Sequence, residues 1–208
     1  MRERKGTIQK ITMKKFRLFA TLIVAALCTT TIFTSCRNDD DDNGGFEIRA
    51  TNIANLPAEI RAQIETVKVE IDGYIIGEAA FGNSFTLRLK SVPQRFLEPI
   101  FDNVQGFEVS GFYAFDRNGN ILGYFFLGYI DDRYGDTWEG FQAVWLYVDR
   151  NATIRDEDDD GLILNLNLRR GWNTVYVHTT YDENSGIDRW TSQRPSGANL
   201  RWHFESWD

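Results

Sequence analysis

Leu162-Ile163-Leu164-Asn165-Leu166-Asn167-Leu168-Arg169 is the stretch that decides the fold class. Leu162, Leu164, Leu166 and Leu168 recur at every second position, with Asn165, Asn167 and Arg169 between them. Successive side chains of a strand point to opposite faces, so this segment is a strand with a leucine face and a wet face. On a helix the same leucines would scatter around the axis. The period recurs elsewhere. Val67, Val69 and Ile71 alternate with Lys68, Glu70 and Asp72. Phe85, Leu87 and Leu89 alternate with Thr86, Arg88 and Lys90. Leu200, Trp202 and Phe204 alternate with Arg201, His203 and Glu205. Each reads as a strand with one face in the core and one in water.

Turn chemistry separates these strands. Asp116-Arg117-Asn118-Gly119-Asn120 stands between Phe107–Phe115 and Ile121–Ile130. Asn-Gly tolerates positive φ, so a hairpin is expected there. Gly82-Asn83 links Tyr74–Phe81 to Ser84–Lys90, and Arg170-Gly171 links the leucine strand to Trp172–Thr180. Two short helices are expected, Pro57 to Ile64 and Pro93 to Phe101. The second starts on a proline, whose missing N–H costs little at a helix start. The central segments differ from the rest. Phe125, Leu127 and Tyr129 point one way, and Leu122, Tyr124, Phe126 and Ile130 the other. Phe141, Ala143, Trp145 and Tyr147 likewise oppose Val144, Leu146 and Val148. Either both faces are covered, or one is an exposed aromatic platform; two-faced apolar strands usually mean burial.

The N-terminal stretch is an address. From Met13 the chain reads Met-Lys-Lys-Phe-Arg, then the apolar run Phe19 to Leu27, then Thr34-Ser35-Cys36, then Asp39-Asp40-Asp41-Asp42. A positive start, a short apolar middle and small residues before a cut make a secretory signal. The run is too short for a membrane-spanning helix, which needs about 20 apolar residues. Met13 is an alternative start, and Cys28 competes with Cys36 as the site of cleavage. Phe33-Thr34-Ser35-Cys36 resembles a lipobox, with Phe33 where Leu is commoner. Acidic residues just after the lipidated cysteine resemble the signal that sends lipoproteins of Bacteroidota-type bacteria to the outer face of the outer membrane. The resemblance implies a lipid anchor on Cys36 and surface display. Residues 1–36 are then a leader, 37–45 an acidic linker, and 46–208 a single β-sandwich domain.

Composition bounds the rest. The 208 residues carry 23 Lys+Arg against 30 Asp+Glu, net −7. Seven of those basic residues and one acid precede Arg37, so the remainder is more acidic still. That balance opposes binding to nucleic acid or to anionic lipid. Both cysteines, Cys28 and Cys36, lie in the leader. The domain then has no internal disulfide, no thiolate nucleophile and no cysteine metal site. Its stability rests on its core, for which most of the aromatic residues are available.

Three constellations could carry chemistry. Asp156-Glu157-Asp158-Asp159-Asp160-Gly161 has the alternating carboxylates of a calcium loop, Asp156, Asp158 and Asp160, before a turn glycine. Asn167 stands where the closing glutamate belongs, and a plain acidic hairpin is the other reading. The loop from Asp131 to Gly140 mixes Tyr134, Asp136 and Trp138. Rings that stack on a sugar and acids that accept its hydroxyls make this a glycan-site candidate, with Tyr181 and Trp190 joining from another loop. His178 and His203 lack a spaced carboxylate and make a weak metal case. H-E-x-x-H, G-x-S-x-G and phosphate-binding glycine loops are absent.

The expected fold is all-β, nine or ten strands in a sandwich with one or two short helices. Val67–Gly73 through Leu89 resembles immunoglobulin-like or transthyretin-like modules. Tyr147-Val148-Asp149-Arg150, Gly171-Trp172-Asn173, Pro195-Ser196-Gly197 and Leu200-Arg201-Trp202 resemble a family of uncharacterised Bacteroidota lipoproteins. That family implies the domain and no activity. The expected function is non-catalytic binding of glycans or of host or matrix components, without a cofactor. The rivals are a structural accessory subunit of an outer-membrane assembly and, third, a small hydrolase.

Overall fold

The period-two segments all fold as strands. The computed structural model describes residues 45–134, 137–158, 161–181 and 186–207, and of 130–138 only the backbone. Cys36 and Asp39 to Asp42 lie outside the described residues, all of which belong to one compact unit. The chain runs β1 (Phe46–Ala50), helix α1 (Ala58–Arg61), β2 (Thr66–Ile71), β3 (Tyr74–Ala80), β4 (Phe85–Leu89), a single 3-10 turn at Gln94–Phe96, β5 (Glu98–Phe101), β6 (Val104–Val109) and β7 (Phe112–Phe115). It continues with β8 (Ile121–Tyr134), β9 (Thr137–Val148), β10 (Ala152–Glu157), β11 (Leu162–Leu168), β12 (Gly171–Tyr181), β13 (Gly186–Thr191) and β14 (Arg201–Ser206).

The architecture is an all-β sandwich of two unequal sheets. β1 and β4 form a two-stranded antiparallel sheet, and the other twelve strands form the second. That is fourteen strands among the described residues, more than the nine or ten expected. The surplus comes from short strands such as β5 and β13, which lack a clean alternation. The expected helix from Pro93 to Phe101 is also corrected. Pro99 drives the residue before it out of the helical region. Leu97 turns extended after the 3-10 turn, and Glu98–Phe101 becomes β5, an edge strand where a proline is tolerated.

β8 is the centre of the large sheet. On one edge it pairs first with β7 and then with β9; on the other it pairs with β14. Phe125 accordingly has both Phe112 and Phe204 as cross-strand partners, and Leu127 has both Ala143 and Trp202. The inner face of this sheet meets the small sheet. Phe112, Phe125, Trp145 and Trp202 are buried there against Ile48, Phe85 and Leu87. Trp145 and Trp202 are parallel with centroids 5.7 Å apart, and Phe85 lies 5.7 Å from Trp202 and 5.1 Å from Phe125. Two indoles of the large sheet also donate to backbone carbonyls at the small sheet: Trp202 Nε1 to Arg49 O at 3.0 Å, and Trp172 Nε1 to Lys90 O at 2.8 Å. Each buried ring contributes a few kcal/mol, on the order of 2–3 by transfer alone.

β9 is covered on both faces, as its composition suggests. Its second face, Val144, Leu146 and Val148, packs with Val175 of β12 and Leu164, Leu166 and Leu168 of β11, under Val104, Ile100 and Phe101 of the β5–β6 hairpin. The β11–β12 junction is not a simple hairpin. β13 enters between the two strands, parallel to β11 and antiparallel to β12. Asn173 braces the splayed turn. It is the only buried polar residue among the described ones. Its Nδ2 donates to Arg169 O at 2.7 Å and Gly171 O at 2.9 Å, and its Oδ1 accepts from Arg169 N at 2.9 Å.

Asn173→Leu keeps the volume and strips those partners of their bonds. A buried unsatisfied group costs about 1–3 kcal/mol, so chemical denaturation of this variant is expected to show a loss of at least about 2 kcal/mol. An unchanged midpoint would mean that the turn holds without Asn173.

Candidate functional site

The five residues proposed for a ligand from sequence divide into two groups. Tyr134 closes on Thr137 at the β8–β9 tip, and Trp138 is the cross-strand partner of Tyr181. These three thus gather on the backbone at one end of β8, β9 and β12. Tyr181 is exposed. Asp136, and the side chains of Tyr134 and Trp138, lie outside the described residues. Trp190 departs from expectation. Neither it nor Tyr181 is in a loop; both stand in strands, and Trp190 pairs with Leu164 and Val177. Its ring packs against the second apolar cluster, because one cross-strand neighbour, Leu164, belongs to that cluster and the other, Val177, packs on it.

The acidic segment is largely turn and strand. Asp156 stands within β10 opposite Leu164. Asp158 closes the hairpin: its N–H donates to Leu162 O at 3.0 Å, and its Oδ1 accepts from Leu162 N at 2.8 Å. Gly161, at φ +89°, returns its N–H to Asp158 O. The loop at 116–120 has the same plan. Asp116 Oδ1 accepts from the backbone N–H of Asn118 and Asn120 at 2.8 Å each, and Gly119 takes φ +82°. Bonds from Asn120, side chain first, hold the Asp116 carboxyl below its ordinary range. Asp-x-x-Gly-x therefore serves twice as a three-residue hairpin loop with a left-handed glycine. The third carboxylate of the calcium pattern, Asp160, lies outside the described residues.

His178 has a carboxylate partner that sequence spacing could not show. Its Nε2 is 2.6 Å from Glu139 Oε1, and its ring lies flat on Phe141 with centroids 4.1 Å apart. Antiparallel register brings these together, since His178 faces Phe141 and Thr180 faces Glu139. The pair sits on the inner side of the sheet, near the β8–β9 tip.

The second face of β8 holds a ring surface that no other layer covers among the described residues. Glu78, Lys68, Tyr113, Tyr124 and Glu205 are successive cross-strand partners on β3, β2, β7, β8 and β14. Partners in register point to the same side, so these five form one row across the outer face. Tyr124 donates its hydroxyl to Glu205 Oε2 at 2.5 Å. Burial first, then that bond, raises the tyrosine's pKa. Trp207 turns its ring edge-on to Tyr113 at 5.7 Å. Phe126 lies 5.8 Å from Tyr124 and stacks on His203 at 5.1 Å. Burial holds His203 below the usual histidine range. Lys68 is engaged, 3.1 Å from Glu78 and above the Phe115 ring.

Four large hydrophobic residues are exposed among the described ones, and three are at this end of the sheet: Tyr113 at 37%, Ile121 at 39% and Trp207 at 56%. Sequence reasoning identified Tyr124 and Phe126 as a second apolar face but missed Tyr113 and Trp207. The available signal was that the neighbouring segments carry Lys68, Glu70, Arg201 and Glu205 on the same side. Strands so polar on one face do not sit under a second layer. Comparison of the chain with family models, with curated proteins and with solved structures gives no match.

Two outcomes are expected. Glu205→Gln should lower the Tyr124 pKa without returning it to the ordinary value near 10, because burial is the larger cause. The raised pKa means that Tyr124 stabilises the fold fully below its unfolded pKa and loses that contribution as pH rises through the folded one. The variant should therefore lose less stability in alkali than the parent does. A pH titration of the tyrosine signal checks the first point, and an unmoved titration would disconnect the two groups. Asp158→Ala should cost about 1 kcal/mol as a lost turn bond, equally in calcium and in chelator. A penalty seen only in calcium would support the cation reading.

Proposed function

We propose that this chain is a lipid-anchored, surface-displayed, non-catalytic binding protein whose outer ring face takes a glycan. The observation that carries the reading is Trp207 beside Tyr113, 56% and 37% exposed, next to the Tyr124–Glu205 hydrogen bond. Rings left in water forgo roughly 25 cal/mol for each Å² that a ligand could cover. The C–H face of a pyranose can supply that cover. Glu205 keeps lone pairs beyond the one that Tyr124 fills, and a carboxylate accepts from sugar hydroxyls.

Geometry argues against hydrolysis at this row. A glycosidase sets two carboxyl groups about 5–10 Å apart across the bond it cuts. Glu78 and Glu205 stand four strand spacings apart, roughly 19 Å at the ~4.8 Å spacing of paired strands. Stacking and hydrogen bonding are then the available chemistry.

The anchor reading rests on Cys36 and on Asp39 to Asp42. The linker of residues 37–45 would reach at most about 30 Å when extended. It leads into β1, in the small sheet that covers the inner face of the large one. The ring face is on the opposite side of the large sheet from β1.

Cys36→Ala is expected to move the protein from the membrane fraction to the soluble one; retention would make Cys28 or another element the anchor. Replacing Asp39 to Asp42 by Ala should protect the protein from protease added to intact cells. Unchanged cleavage would reduce the acidic run to a spacer.

A further inference from the structure

We infer that the outer face of the small sheet is the docking site of the chain's own acidic run, Asp39 to Asp42. This contact requires neither a glycan nor a lipid anchor. Register defines the face. In β1 and β4, Phe46, Ile48, Ala50, Phe85, Leu87 and Leu89 turn inward and are buried. Glu47 and Arg88 are partners on the other side, as are Arg49 and Thr86. Lys90 continues the alternation of β4 and is exposed. The outward side chains thus include three bases and one acid, on a chain whose net charge is −7. Glu47 stands between the two guanidinium groups, with Arg49 Nε 2.8 Å from one carboxylate oxygen and Arg88 Nε 3.3 Å from the other. Both arginine side chains remain largely in water, 65% and 75% exposed. One carboxylate does not balance two guanidinium groups and an ammonium, so the face is positive.

The acidic run reaches this face from where the chain enters the sheet. Gly45 precedes Phe46, the partner of Leu89. A Cβ added at Gly45 would lie 3.6 Å from Arg88 Cβ, so the chain arrives beside the bases. Asp42 is three residues before Gly45 and Asp39 six, spans of at most roughly 10 and 20 Å. Arg88 and Lys90 are about 7 Å apart along the strand, within that reach. Asn43-Gly44-Gly45 is turn-forming sequence, suited to bending the run back over the face. Single exposed ion pairs are weak and screened by salt. Here the short connection raises the local concentration of the acids to a value on the order of 1 mM, and several pairs form together. An anionic lipid surface is the poorer occupant, because the same four aspartates stand at the face and repel it. On a chain anchored at Cys36, docking leaves only Arg37 and Asn38 between the anchor and the docked run.

The test is zero-length cross-linking of the purified full chain, in detergent, with a carbodiimide that joins carboxylates to amines, read by mass spectrometry. After Arg37 the chain has two lysines, Lys68 and Lys90. Lys68, 3.1 Å from Glu78, is the internal control. The expected result is that Lys90 joins Asp39 to Asp42 within one chain, while Lys68 joins Glu78 and not the run. The Lys90 product should fall at least about threefold in about 0.5 M salt, where screening acts within roughly 4 Å. It should fall as much in Arg49→Ser/Arg88→Ser, which leaves Lys90 in place, with the Lys68–Glu78 product retained as the sign of a folded sheet. A Lys90 product indifferent to both changes reports tethering alone and would overturn the docking, as would no product at all. Products found only between two chains would make the occupant a second copy. Loss of the product on adding phosphatidylglycerol vesicles, with Lys90 then shielded from an amine-acylating reagent, would make it a lipid surface; either outcome overturns the proposal.

Discussion

Trp145 and Trp202 lie parallel 5.7 Å apart in the middle of the sandwich, and the rest of the domain is arranged around that contact. One indole comes from β9 and the other from β14, which lie on opposite edges of β8. Phe112 fills the space beside both, at 4.7 and 5.8 Å. The N–H of Trp202 then reaches across to Arg49 O and ties β1 to the large sheet. Apolar area drives the two sheets together, and the indole hydrogen bond helps fix where the small sheet sits. Losing a buried Trp of this kind costs about 3–5 kcal/mol, a large share of a domain's marginal stability.

Because so much aromatic surface is buried on the inner side, the outer side of β8 is not needed for the core. The same strand thus has two fates. Phe125 and Leu127 are inside, while Tyr124 and Phe126 stand between the sheet and water. β9 resolves the same two-sided composition differently, because the β5–β6 hairpin and β11 cover its second face. Burial of one and exposure of the other follow from which strands lie alongside.

Much of the fold was legible in the sequence. Leu162 to Leu168 and Val67 to Ile71 alternate without ambiguity, and Asp116 to Asn120 announces its hairpin by Asn-Gly. Local chemistry decides these features, and local chemistry is what a sequence displays. The insertion of β13 between β11 and β12 was not legible, because strand order is a matter of distant pairing. Nor was the His178–Glu139 pair, 39 residues apart and joined only by register. The candidate site was half visible. Tyr124 and Phe126 could be named as a second apolar face. That no described layer covers this face, and that Tyr113 and Trp207 complete it, depends on how distant strands are ordered, which no residue encodes alone. The aromatics Tyr134 and Trp138 drew attention for their composition, and Trp190 was expected in a loop but stands in a strand, because a tryptophan in a short strand carries no sign of which strands lie beside it.

Oxidative footprinting of the native protein with hydroxyl radicals, read residue by residue by mass spectrometry, tests the central claim that the sandwich is closed on its inner face and open at the rings of its outer face. The account predicts rapid labelling of Trp207 and Tyr113, with Trp145, Trp202, Phe112 and Phe125 protected until the protein unfolds. Protection of Trp207 and Tyr113 to the level of Trp145, or labelling of Trp202 in the folded state, would contradict it.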